Sequence, residues 1–133
     1  MPNNEYVQEW FAFADMDFQA AKHLDASMHP NPLEIICYHC EQAAEKMLKG
    51  VLLSYDARLK KTHDLGLLIE ELASYVTVEE RFYEICSDLT PYGVAVRYPQ
   101  EVYIEERHVR KALADTADLL TWLQSLSSNR DYC

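Results

Sequence analysis

Glycine is nearly missing from this chain, 3 residues in 133, and proline is scarce at 5. A turn-rich all-β protein needs more of both at its chain reversals. No segment sustains the period-two alternation of a half-buried strand, and Val94-Ala95-Val96 is too short to argue for one. No apolar run approaches the ~20 residues that cross a bilayer. The opening Met1-Pro2-Asn3-Asn4-Glu5 lacks the basic and apolar regions of a signal peptide. The expectation is a cytoplasmic protein with no membrane association. Positive charge is also short: 12 Lys and Arg stand against 22 Asp and Glu, a formal net charge of −10. That excludes a protein that coats nucleic acid without specificity, which needs a broad basic surface.

The four cysteines do not form a framework either. Cys37 and Cys40 lie one helical turn apart, Cys86 stands alone, and Cys133 is the last residue. A Cys-x-x-Cys pair invites a zinc or redox reading, but the other half of such a site is missing. With Ile35, Ile36, Ala43 and Ala44 around them, Cys37 and Cys40 read as reduced core residues. No metal and no cofactor are expected.

Helical periodicity fills the chain. Val7, Trp10, Phe11, Ala14, Phe18, Ala21 and Leu24 mark an amphipathic helix over residues 5–27, which His29-Pro30-Asn31-Pro32 stops. A second helix is expected from about 32 to 55, with Leu33, Ile36, Cys40, Ala43, Met47, Gly50 and Val51 on its apolar stripe. Gly50 there marks close approach of another helix. Thr62 is placed to cap a third helix whose buried face is Leu65, Leu68, Ile69 and Leu72. Thr77-Val78-Glu79-Glu80 reads as a capping box opening a fourth, with Val78, Phe82, Ile85, Cys86 and Leu89 inside. Thr90-Pro91 interrupts it, Thr90 as a cap. After a short piece at Tyr92–Arg97, a last helix over about 104–127 carries Val109, Leu113, Thr116, Leu120 and Leu123. The expected fold is all-α, an up-and-down four-helix bundle with one or two additional short helices, in a single domain spanning 1–133.

Three features carry residues that packing does not require. On the second helix, Gln42, Glu45, Lys46 and Lys49 fall within an arc of roughly 100°. They form either a solvated face, with Glu45–Lys49 an ordinary i,i+4 pair, or one wall of a site. Lys61-Thr62-His63-Asp64-Leu65 puts a His beside a helix start, where it can face an anion or hold the loop by a backbone bond. Arg97-Tyr98-Pro99 offers a guanidinium fork for phosphate beside a ring that can stack; its plainer reading is an Arg paired with Glu101 and a half-buried Tyr. Residues 43–63 carry five basic against two acidic residues, a small positive island on an acidic body. Such an island suits a compact anion better than a long duplex.

In their order and separation these features resemble the HEPN domain, named for higher eukaryotes and prokaryotes nucleotide-binding. The resemblance runs from the aromatic-led first helix with Trp10 and Ala14 through Gln42-Ala43-Ala44-Glu45-Lys46-x-x-Lys49. It continues through Lys61-Thr62-His63-Asp64-Leu65 and ends at Arg97-Tyr98-Pro99 before the last helix. The resemblance implies a helical homodimer with a cleft that takes a nucleotide or short RNA. It also implies a minimal nucleotidyltransferase as candidate partner in a toxin–antitoxin pair. On it, Lys46, Lys49 and Arg97 would meet phosphate, Tyr98 would stack, and Gln42 and His63 would orient the ligand. Catalytic members of that family are metal-independent ribonucleases with Arg-x4–6-His. The positions so spaced after Arg97 are Val102, Tyr103 and Ile104, and none is His. Arg107 and His108 are adjacent, and Arg58-x4-His63 lies in a loop. The expectation is a binding domain without catalysis; the competing readings are a protein that holds a nucleotidyltransferase, and a ribonuclease of unusual arrangement.

Overall fold

The computed structural model describes residues 4–94 and 102–128. It is all-helical: α1 Asn4–Ser27, α2 Leu33–Ser54, α3 Leu65–Leu72, α4 Glu80–Leu89 and α5 Glu106–Ser128, with a 3-10 turn at Thr90–Val94 after α4. No strand occurs among the described residues.

α2 is the axis of the molecule. It packs along α1 and α5, and α3, α4 and the 3-10 turn close over it. Ile36, Cys37, Cys40, Ala43, Ala44, Met47, Leu48, Val51 and Leu52 on α2 are all buried. An outer helix shows one apolar stripe; α2 is buried nearly all round because it has neighbours nearly all round. The outer helices answer with narrower stripes. Val7, Ala14 and Ala21 of α1 are fully buried, as are Val109, Leu119 and Leu123 of α5. Phe82 of α4 stacks on Trp122 of α5 with centroids 4.3 Å apart.

Gly50 sits at the α1–α2 contact. A Cβ there would lie 2.5 Å from the Phe11 ring and 3.0 Å from Cβ of Trp10. The close approach expected from the sequence is therefore real, and any side chain would push α1 away. α2 ends in a Schellman turn: Ala57 N–H donates to Leu52 O and Asp56 N–H to Leu53 O, with Asp56 at φ 67°.

Two local expectations need correction, and a third is extended. Thr62 does not cap α3. Its hydroxyl accepts from Asp64 N–H, and the Asp64 carboxylate takes Gly66 N–H at 2.9 Å, so Asp64 is the cap. A carboxylate is the better acceptor at a positive helix end. The residue before α4 is Glu79, with no side-chain bond to the helix start, so the capping box is not made. Thr90 does more than cap its own chain. It donates to Cys86 O at 2.7 Å and accepts Leu65 N–H at 3.2 Å, tying the end of α4 to the start of α3. Cys37, Cys40 and Cys86 are buried free thiols, and burial pushes each up to about 12.

Candidate functional site

The polar stripe of α2 is not a solvated face. Glu45 is 4% exposed and Lys49 8%. The Glu45 carboxylate divides its oxygens between two partners: Oε2 takes Lys49 Nζ at 3.0 Å, and Oε1 takes His63 Nδ1 at 2.8 Å. The i,i+4 pair foreseen from spacing exists, but it lies in the interior. There it needs its third member to satisfy the second oxygen.

One turn earlier, Glu41 is fully buried. Its Oε1 accepts from Gln42 Nε2 at 2.7 Å, while Oε2 has no hydrogen-bond partner. Burial, reinforced by the nearby Glu45 charge, pushes the Glu41 carboxyl up to about 8; the Gln42 bond opposes the shift. Near neutral pH it therefore carries a proton. Gly93 of the 3-10 turn lies directly on this carboxyl, since a Cβ there would come within 3.1–3.3 Å of its carbon and both oxygens. Gln42 bridges the seam, its Nε2 also lying 3.5 Å from Glu45 Oε1.

Above the seam is a cleft of about 250 Å³ lined by Tyr38, Gln42, His63, Asp64, Thr90, Gly93 and Val94. It lies between α2, the start of α3 and the 3-10 turn. The His63 side chain is 73% exposed although its Nδ1 is held by the buried Glu45. Nδ1 donates to the carboxylate, so Nε2 is the nitrogen left for the cleft.

The structure brings together two of the expected site residues, Gln42 and His63, and sets Lys49 behind them. Lys46 points elsewhere: its Nζ meets Asp17 of α1 at 2.6 Å, and the other oxygen of Asp17 takes His39 Nδ1 at 2.9 Å. A stripe 100° wide spans two interfaces, and α1 claims one edge of it. Arg97 and Tyr98 lie outside the described residues. His108 Nδ1 accepts Glu105 N–H at 2.8 Å, closing the start of α5, while Arg107 pairs with Glu105. The His108 bond is capping chemistry at a helix start, and the Arg107 pair is an exposed ion pair. Glu41, Tyr38 and Thr90 join the site without a site motif of their own in the sequence. Glu41 left one signal: it stands four residues before Glu45, a like-charge pair on one helix face that an exposed helix would avoid.

The fold and the cleft define a small all-α domain with a polar seam beneath one groove. The family model described as HEPN domain matches residues 7–126, and the chain belongs to the HEPN domain family. Among solved structures it is similar to TT1696 from Thermus thermophilus, at 22% identity and TM-score 0.78, covering 90% of this chain and 97% of that one. It is also similar to ST0689, an archaeal HEPN homologue, at 20% identity and TM-score 0.70, covering 90% and 95%. At these identities the likeness is one of fold. No curated protein matches the chain.

Proposed function

We propose that this domain binds a nucleotide-type ligand in the cleft between α2 and the start of α3, without catalysing its conversion. The observation that carries the reading is the His63 ring. It is anchored at Nδ1 by a buried carboxylate and bare at Nε2, at the mouth of a groove that also holds Gln42. A surface His kept only for solubility has no need of a buried partner. Lys49 is engaged by Glu45 behind the cleft and in this reading sets its potential, while Lys46 is held at the α1 edge by Asp17. Arg58, Lys60 and Lys61 are exposed in the loop before α3. Lys61 is two residues from His63, hence within about 7 Å along the backbone, close enough for its side chain to meet a ligand phosphate. Arg97 and Tyr98 enter the proposal from the sequence alone. The absence of His at positions 102–104, and the use of His108 Nδ1 in the α5 cap, support binding without RNA cleavage.

Calorimetry with ATP, GTP and short RNA, on the native chain and on His63→Ala, tests this. Saturable binding of at least one ligand, weakened in the variant, is expected. No heat with any of them at millimolar ligand and low salt would sink the reading.

A second reading, assembly, rests on a separate observation. Phe13 and Met16 on α1 are 57% and 64% exposed, beside a shallow groove lined by Tyr6, Glu9, Trp10 and Phe13. Large apolar side chains in a row on one helix face mark an interaction surface. We read this face as the contact of a homodimer, with a nucleotidyltransferase as the competing occupant. Sedimentation should show a dimer that Phe13→Glu dissociates. A monomer at all concentrations, or a complex only with a co-expressed nucleotidyltransferase, would replace the homodimer.

A further inference from the structure

The hydrogen-bonding polarity of the cleft can be read atom by atom. Gln42 turns its NH2 inward, with Nε2 2.7 Å from Glu41 Oε1 and 3.5 Å from Glu45 Oε1. Its carbonyl Oε1 is the end left for the cleft, an acceptor. His63 spends its Nδ1–H on Glu45, so a neutral ring offers a lone pair at Nε2. Asp64 is a carboxylate that has accepted Gly66 N–H at Oδ1. The Thr90 hydroxyl is spent, donating to Cys86 O and accepting Leu65 N–H. No Lys or Arg is among the described residues that line the cleft. The Glu41 carboxyl is fully buried beneath Gln42 and Gly93 and is not part of the lining, so its proton adds no donor to the wall.

Tyr38 adds a phenolic hydroxyl that can donate or accept; acceptors otherwise dominate the described lining, and an acceptor-rich groove disfavours a phosphate and selects a donor face. At about 250 Å³ it is below the ~300–1,000 Å³ typical of sites for drug-sized ligands, so it suits one ring system rather than a whole nucleotide. We propose that the cleft takes the base of the nucleotide and not its phosphate, and that the base is guanine. Guanine carries a ring N1–H beside an exocyclic amino group, two adjacent donors for Gln42 Oε1 and His63 Nε2. Adenine sets a single amino donor beside the N1 lone pair, which would face an acceptor. The phosphate is left outside the groove, toward Lys60 and Lys61. This rests on the binding function proposed above and names its ligand.

The test is titration of the full chain with guanosine, adenosine, GMP, AMP and ribose 5-phosphate, with nitrogen-15 NMR of the His63 ring. Guanosine is expected to bind about tenfold or more tighter than adenosine, the cost of one acceptor left facing an acceptor. The His63 Nε2 resonance should shift with guanosine and not with ribose 5-phosphate. Gln42→Met, checked for native helicity, should bring guanosine down to the adenosine level. Equal affinity for the two nucleosides, or a shift of Nε2 with ribose 5-phosphate, overturns the base assignment and leaves nucleotide binding standing. Silence from all five compounds overturns both.

Discussion

Two carboxylate–histidine–lysine groups stand on the two edges of one polar stripe of α2, and they use the same chemistry to different ends. On one flank, Asp17 receives His39 Nδ1 at 2.9 Å and Lys46 Nζ at 2.6 Å. On the other, Glu45 receives His63 Nδ1 at 2.8 Å and Lys49 Nζ at 3.0 Å. In the first group, all three members are moderately accessible and cross-link two long helices. In the second, the carboxylate and the lysine are buried and only the imidazole emerges, into a cleft. The second also has a buried neighbour of its own charge type, Glu41, which the first lacks. The same three functional groups therefore do not define a site. Depth does, because a buried carboxylate must be satisfied on both oxygens and so fixes the one partner that reaches the surface.

The largest test of this contrast removes each carboxylate. Glu45→Ala leaves the Lys49 ammonium buried without its partner and should cost about 3–5 kcal/mol. Asp17→Ala leaves two partners that can turn to water and should cost about 1 kcal/mol. Urea unfolding measures both, and equal losses would break the distinction. Next in size is the pH response of Glu41. Its carboxyl is pushed from 4.5 up to about 8 in the fold, so the folded state keeps a proton that the unfolded chain releases in between. That stabilisation is fully present below pH 4.5 and is lost as pH rises through about 8. Wild-type stability should fall by roughly 2–4 kcal/mol across that window from this group, and Glu41→Gln should flatten the fall. A variant with the wild-type slope would show that another group is responsible.

The two glycines extend the comparison. Gly50→Ala meets the Phe11 ring at 2.5 Å and should cost about 1–3 kcal/mol by overpacking the α1 side. Gly93→Ala meets the Glu41 carboxyl at 3.1–3.3 Å. Because the end of a flexible side chain can yield, it should cost less, about 1 kcal/mol. Thermal melts of the pair would reverse the assignment if Gly93→Ala proved the worse. Smallest in stability is the pair of histidines. His63→Ala should cost about 1 kcal/mol, since it unpairs Glu45 Oε1 but opens that oxygen to water where the mostly exposed ring stood, and it should weaken ligand heat. His39→Ala should leave ligand heat unchanged.

The helices were largely legible in the sequence because an apolar stripe at 3.6-residue spacing needs no partner to be recognised. The boundaries of α1 and α2 and the buried faces of α3, α4 and α5 follow from it. Cap choices were less legible. Thr62 and Asp64 are both good caps by type, and only the folded loop decides which reaches the free N–H groups. The site was half legible. Gln42 and His63 could be singled out, but Lys46 and Lys49 have the same type and spacing and opposite surroundings.

What the sequence determined by itself is the helical architecture and membership of the HEPN family, since both rest on patterns local to a segment or on the order of segments. What only tertiary structure decided is which polar residues meet. α1 brought Asp17 to Lys46, and the loop before α3 brought His63 to Glu45. The 3-10 turn set Gly93 over Glu41. Each meeting joins residues 18 to 52 positions apart along the chain, where no periodicity reaches and only packing around α2 fixes the distance.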